Sequence, residues 1–187
     1  PMQDSYFTMS SRGCPYQCTF CFNSFFAKLS EGPRGKYVRR RSVEHMLYEL
    51  KVGKRRYDYK MVEFWDDIFT MDRPWLQKFL FEYKRDIGVP YQIFSHVNFI
   101  DEEIGRLLGE SGCRYAQIGV QTLDDDIYRL IRRGHTVQDV IEATARLRWH
   151  AFKVHYHWMP GLPGSTPEKD LELSEKLFSD DRFRPDG

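Results

Sequence analysis

The chain has 187 residues, 41% hydrophobic and 16% aromatic, and a formal charge of +1. That is enough apolar material for one domain with a buried core, and the near-zero charge excludes broad coating of nucleic acid while leaving room for a local basic patch. No apolar run is long enough to cross a bilayer, and the start of the chain lacks the basic residues and apolar stretch of a secretory signal.

The pattern alternates from one end to the other. SYFTMS, Ser5–Ser10, reads as a strand. After a long loop, SVEHMLYELK, Ser42–Lys51, reads as a helix capped by its serine. MVEFW, Met61–Trp65, is a short apolar run and so a buried strand. Pro74–Ile87 reads as a helix that Asp72 caps and Gly88 ends. Tyr91–Val97 is a strand, Asp101–Ser111 a helix with an acidic start, and Tyr115–Val120 a strand. Asp124–Ile131 and Val137–Trp149 read as helices, the second opened by a Thr136 and Asp139 capping pair. Phe152–Met159 is the fifth strand, and Thr166 with Pro167 starts a helix reaching about Phe178.

Five strands alternating with helices predict a parallel α/β sheet. An eight-unit barrel takes roughly 250 residues, about 31 per unit, so this chain holds about six. The expected fold is therefore α/β, a partial (β/α)6-type TIM barrel spanning residues 1–187 as a single domain of a longer protein. It would be cut after the fifth unit, where the tail FRPDG could lead into another strand. Cysteines follow the first strand, Asp66 and Asp67 the second, Asn98 the third, Gln121 the fourth, and Pro160–Gly164 the fifth. All of these lie at carboxyl ends of strands, where such folds build their sites.

RGCPYQCTFCFN carries Cys14, Cys18 and Cys21, three of the four cysteines. Without a secretory signal a reducing, cytoplasmic setting is expected, where clustered cysteines serve metals or redox chemistry more often than disulfides. A zinc site would want a fourth ligand, and the nearest histidine, His45, is outside the loop. Three thiolates on a four-iron cluster leave one iron open to substrate or cofactor, a chemical reason for three ligands rather than four.

The other rim residues have plainer readings beside the functional ones. Asp67 or Asp72 could cap the next helix. Arg132 and Arg133 could complement a helix end, although an arginine fork also suits a carboxylate. Gly161 and Gly164 with two prolines fit an ordinary tight turn. His155 and His157 share one strand face and read as satisfied core or substrate-pocket histidines more readily than as a metal pair. KYVRRR (36–41) and KRRYDYK (54–60) interleave basic residues with aromatics, as nucleic-acid surfaces do, though a solvated face explains them too. Cys113 reads as a small buried residue entering a strand.

The spacing Cys14, Cys18, Phe20, Cys21 resembles the C-x3-C-x-aromatic-C hallmark of the radical S-adenosylmethionine (SAM) enzymes. The resemblance implies a [4Fe-4S] cluster on the three cysteines and SAM chelated at the open iron. It implies reductive cleavage of SAM to a 5′-deoxyadenosyl radical that takes a hydrogen atom from substrate. It places Phe20 near the adenine, Asp66 or Asp67 at the SAM amino group, Gln121 and Arg133 at the ribose and carboxylate, and Met159 and Gly161 behind the adenine. Up to about Gly119, the stretches SSRGCPYQCTFCFN and FWDDIFT resemble cobalamin-binding members, so cobalamin is expected through a domain outside this chain. From there, IRRGHTVQDVIEATARL and KVHYHWMPGLPGSTPEKDLE resemble the catalytic subunit of Elongator, although Elongator has a longer first cysteine gap. Methyl transfer or another modification of an unnamed substrate is the first expectation, and tRNA wobble-uridine modification the alternative. A flavodoxin or ferredoxin would supply the electron. The rival class is a non-catalytic zinc- or nucleic-acid-binding module.

Overall fold

The computed structural model describes residues 4–30, 37–150, 152–184 and 186. Its elements are β1 (Ser5–Thr8), β2 (Ser11–Arg12), α1 (Phe22–Leu29), β3 (Arg39–Arg40), α2 (Val43–Tyr57), β4 (Met61–Phe64), α3 (Arg73–Asp86), β5 (Tyr91–Ser95), α4 (Glu102–Ser111), β6 (Cys113–Gln121), α5 (Asp125–Leu130), α6 (Val137–Trp149), β7 (Lys153–Trp158) and α7 (Pro167–Ser179). Five strands form one sheet in the order β1-β4-β5-β6-β7, with every neighbouring pair parallel. Each strand pairs with the next along the chain, so the sheet grows in one direction, as a barrel wall does. It does not close on itself: β1 and β7 are its two edges. This is the expected α/β partial barrel. No helix among the described residues is long and apolar enough to cross a membrane.

The two faces of the sheet differ as period-two alternation requires. Val62, Phe64, Tyr91, Ile93, Ala116, Ile118, Val120 and Val154 are fully or almost fully buried. Register places Glu63 beside Gln92, Gln92 beside Tyr115, and Gln117 beside His155 on the opposite, polar face. The helices cover the apolar face. Phe64 is the centre of that core, its ring 4.6 Å from Phe69, 5.6 Å from Phe79 and 5.7 Å from Tyr91. Leu76, Phe79 and Leu80 of α3 complete it.

Helix starts follow the chemistry of the first residues. Ser42, Asp72, Asp101, Asp124 and Thr166 each accept a backbone N–H of the first turn. Thr136 and Asp139 form a reciprocal capping box. The fold departs from the sequence reading in the first loop. β1 stops at Thr8, and the chain turns out to pair β2 with β3 in a small antiparallel ribbon. α1 occupies part of the expected loop; Cys21 at its start makes no side-chain cap bond, so no local signal marked it. α2 runs on through Lys54, Arg55 and Arg56, whose charges suit a helix C-terminus. Much of the second basic run is thus the end of a helix. Near the tail, the Asp186 N–H donates to the Val154 carbonyl at 2.8 Å, alongside β7.

Leu76 is completely buried beneath the aromatic cluster. Leu76→Ala should cost about 2–5 kcal/mol of stability, measured as a lower urea midpoint with an unchanged m-value.

Candidate active site

The cysteine loop runs from the β2 ribbon to α1 and lies over the carboxyl ends of the strands. Two consecutive carboxylates after β4 hold it. Asp66 is buried at 2% exposure and accepts the Ser10 N–H (2.9 Å), the Ser10 hydroxyl (2.5 Å) and the Ser11 hydroxyl. Asp67 accepts the Gly13 N–H at 3.0 Å and the Asn23 amide at 2.6 Å. Asn23 in turn accepts the Tyr37 hydroxyl at 2.6 Å. Asp67 therefore grips the residue just before Cys14 and a residue just after Cys21. Gly13 has φ +91°, and a Cβ there would stand 2.6 Å from the Tyr37 carbonyl, so only glycine allows this approach.

The middle of the loop is held from the other side of the rim. Tyr16 stacks on His96, centroids 4.1 Å apart and planes tilted 14°. The Asn98 amide donates to the Tyr16 hydroxyl (2.9 Å) and to the Gly134 carbonyl (2.7 Å). The Thr19 N–H donates to the Ile131 carbonyl at 3.0 Å.

Arg133 is folded inward, only 9% exposed. Its guanidinium donates to the Gly119 carbonyl at 2.6 Å and points toward the Cys18 sulfur at 3.6 Å. Gln121, at φ +65°, is buried beside it. A Cβ on Gly119 would stand 2.6 Å from the Arg133 guanidinium and 2.7 Å from the Gln121 amide nitrogen, so the glycine makes room for both side chains. Arg133 Nε and Gln121 Oε1 are buried without a hydrogen-bond partner among the described residues. Such atoms are costly unless a further group satisfies them. Burial, more than the nearby Arg133 charge, holds His96 at about 2 and His135 at about 3, so both rings are neutral and Arg133 carries the positive charge beside Cys18.

These residues enclose a cavity of about 230 Å³, lined by Cys14, Cys18, Phe20, Cys21, Asp67, Gln121 and Arg133 among others. Seven residues singled out in the sequence thus meet in one place. Three others stand off it. The Asp66 carboxylate is used up by the two serines. The Met159 N–H donates to the Gln121 carbonyl at 3.0 Å, so Met159 is next to the cavity through its backbone. The Gly161 N–H donates to Asp170 at 2.6 Å. Phe94, His96, Gln117 and His157 also line the cavity, and of these only His157 is singled out in the sequence. His157 pairs with Gln117 at 2.8 Å, which matches the pocket-histidine reading. Cys113 is buried at the start of β6, away from the loop.

Whether the loop suits a cluster can be judged from its own chemistry. Burial, chiefly, pushes the Cys14 thiol up to about 11, so it keeps its proton until a cation replaces it. Among the described residues, no three His, Cys, Asp or Glu side chains are placed to hold a single metal ion. A structural zinc site is closed by four ligands, whereas three thiolates on a four-iron cluster leave one iron open, and three cysteines line this one cavity. The donor set therefore fits the cluster better than zinc.

The two carboxylates make separable predictions. Asp66→Ala leaves buried hydroxyls and an N–H unpaired and should lower global stability by about 3 kcal/mol or more, read from chemical denaturation. Asp67→Ala should leave the melting temperature less affected but speed limited proteolysis between residues 13 and 23.

Comparison with known proteins places this arrangement. Over 85 residues the chain is 61% identical to a tRNA uridine(34) acetyltransferase of Dehalococcoides mccartyi, covering 46% of this chain and 18% of that protein. An uncharacterized methyltransferase of Pyrococcus horikoshii is 28% identical over 176 residues, covering 92% of this chain and 37% of its own length. The chain thus spans well under half of either relative. Among solved structures, the radical S-adenosylmethionine methyltransferase TsrM of Kitasatospora setae superposes with a TM-score of 0.77 at 16% identity, covering 95% of this chain and 34% of its own. That likeness concerns the fold. The family model for the Radical SAM superfamily matches residues 8–177, and the chain, with its three-cysteine loop over the strand ends, belongs to that superfamily of enzymes.

Proposed function

We propose that Cys14, Cys18 and Cys21 hold a [4Fe-4S] cluster and that Asp67, Gln121, Arg133 and Phe20 face SAM at its open iron. When bound, these cofactors supply one-electron cleavage of a carbon–sulfur bond and, through it, hydrogen-atom abstraction. The protein's own groups bind, orient and shield. Arg133 places positive charge beside a sulfur that must be anionic as a ligand, and offers an unused N–H to a carboxylate. Gln121 offers an unpartnered carbonyl oxygen to a hydroxyl or ammonium. Asp67 keeps the loop shut over both.

We further propose that the substrate is a tRNA carrying uridine at the wobble position, modified by this domain as one part of a longer cytoplasmic enzyme. The observation that carries this is the 61% identity over 85 residues to a protein named for that substrate. A second reading, methyl transfer with cobalamin supplied by another domain, is supported by the methyltransferase relative that aligns with 92% of this chain. In either case a small flavodoxin or ferredoxin would deliver the electron.

Anaerobic iron and sulfide reconstitution followed by EPR tests the first proposal. A four-iron signal that shifts on adding SAM and vanishes in Cys18→Ala is expected; no cluster, with one tightly bound zinc instead, sinks it. Gln121→Ala and Arg133→Ala should load iron normally yet weaken SAM binding by about 10- to 100-fold, from one charge-assisted or buried hydrogen bond each. The substrate is tested by 5′-deoxyadenosine release: stimulation by tRNA with a wobble uridine, and none by tRNA with another base there, is the expected result. Stimulation by cobalamin and not by tRNA would favour methyl transfer.

A further inference from the structure

We propose that the β2–β3 ribbon and the first turn of α2 form a second site, which grips phosphate groups of an RNA backbone; this rests on the tRNA reading above. The site is a cavity of about 570 Å³ beside the edge strand β1, bordered by Ser11, Arg12, Arg39, Arg40, Arg41 and His45. It shares no lining residue with the cysteine cavity, although Arg12 leads directly into that loop.

Four arginines meet here, and they fall into two pairs. Arg40 and Arg41 are fixed parts of the wall. The Arg40 guanidinium lies 4.4 Å over the Trp75 ring and donates to the Ser10 hydroxyl and the Phe69 carbonyl, both at 3.0 Å. Its Nε is buried and has no partner among the described residues. Arg41 is ion-paired with Glu49. Arg12 and Arg39 are exposed, and their side chains make no ion pair or hydrogen bond among the described residues. Among the described residues, the nearby Glu49 is engaged by Arg41 and the Thr8 hydroxyl, and the Asp66 charge acts on Arg40.

The register sharpens the point. Arg12 and Arg39 are direct cross-strand partners in the ribbon. Like charges facing each other across a ladder destabilise it, and a two-stranded ribbon has little stability of its own to spare. A ribbon that puts two arginines opposite one another, with two more bordering the same cavity, gains from an anion between them. Several guanidinium forks around one cavity suit a group with charge spread over many oxygens, which a phosphodiester chain has and a lone carboxylate lacks.

The test is fluorescence anisotropy of labelled tRNA with the reconstituted full chain, across a salt series. Arg12→Gln/Arg39→Gln should bind tRNA about 10-fold more weakly, with a salt slope smaller by about 1–2. Arg55→Gln/Arg56→Gln, the same charge change at the exposed end of α2, should bind like wild type. Arg39→Glu separates binding from folding: it converts the like-charge pair into an opposite one, so the melting temperature should hold or rise while tRNA affinity falls. Pocket variants that bind like wild type, or a control that loses as much as they do, would overturn the proposal while leaving the tRNA reading intact. If wild type binds no tRNA, that reading fails and a thermal-shift titration with inorganic pyrophosphate decides the pocket. A rise in melting temperature that Arg12→Gln/Arg39→Gln abolishes supports a phosphate site filled by a free anion; no rise overturns it.

Discussion

The arrangement depends on two adjacent carboxylates that turn to different work. Asp66 ties down the turn where the chain leaves β1, through Ser10 and Ser11. Asp67 closes a ring around the cysteine loop, from Gly13 to Asn23. A loop of this length, left to itself, would sample many conformations, and holding three thiols on one cavity would be entropically costly. Fastening both ends to one carboxylate on a rigid strand end confines that freedom before any cofactor arrives. The stacked Tyr16 and His96 confine the middle.

Once the loop is fixed, the far wall of the cavity follows from packing. β6 reaches the rim with a glycine, then a glutamine in a left-handed backbone conformation. The glycine leaves a gap that Arg133 fills from the turn after α5, so a guanidinium comes within reach of Cys18. The unpartnered atoms left at Gln121 and Arg133 are a cost to folding. Costs of this kind concentrate where a protein recognises a ligand. The same logic separates the two basic runs: one ends a helix, where its charges are favourable, and the other lines a cavity, where its Arg39 faces Arg12 across the ribbon.

Some of this is legible in the sequence. The strand and helix alternation, the caps at Ser42, Asp72, Thr136 and Thr166, and the three-cysteine spacing are local signals, each carried by a few neighbouring residues. So was the gathering of Cys14, Asp67 and Gln121 at strand ends, because parallel order dictates that all the loops after strands share one rim. What was not legible needed contacts distant in sequence. Nothing near Asp66 shows that its carboxylate faces two serines 55 and 56 residues earlier. Nothing near Phe94 or Gln117 marks them as cavity residues rather than sheet filler. α1 lacked a capping side chain, and the β2–β3 ribbon pairs two residues with two, too short for any periodicity to register.

The sequence by itself determined the class of fold, the three-cysteine spacing and the rim on which it lies, because period, capping and spacing are properties of neighbouring residues. Only the tertiary structure decided which of two consecutive aspartates faces the cavity, that Arg133 reaches it through the space left by Gly119, and that Arg12 stands opposite Arg39. Those are relations between segments brought together by burial of a shared core, and a single chain of letters does not contain the distances that core imposes.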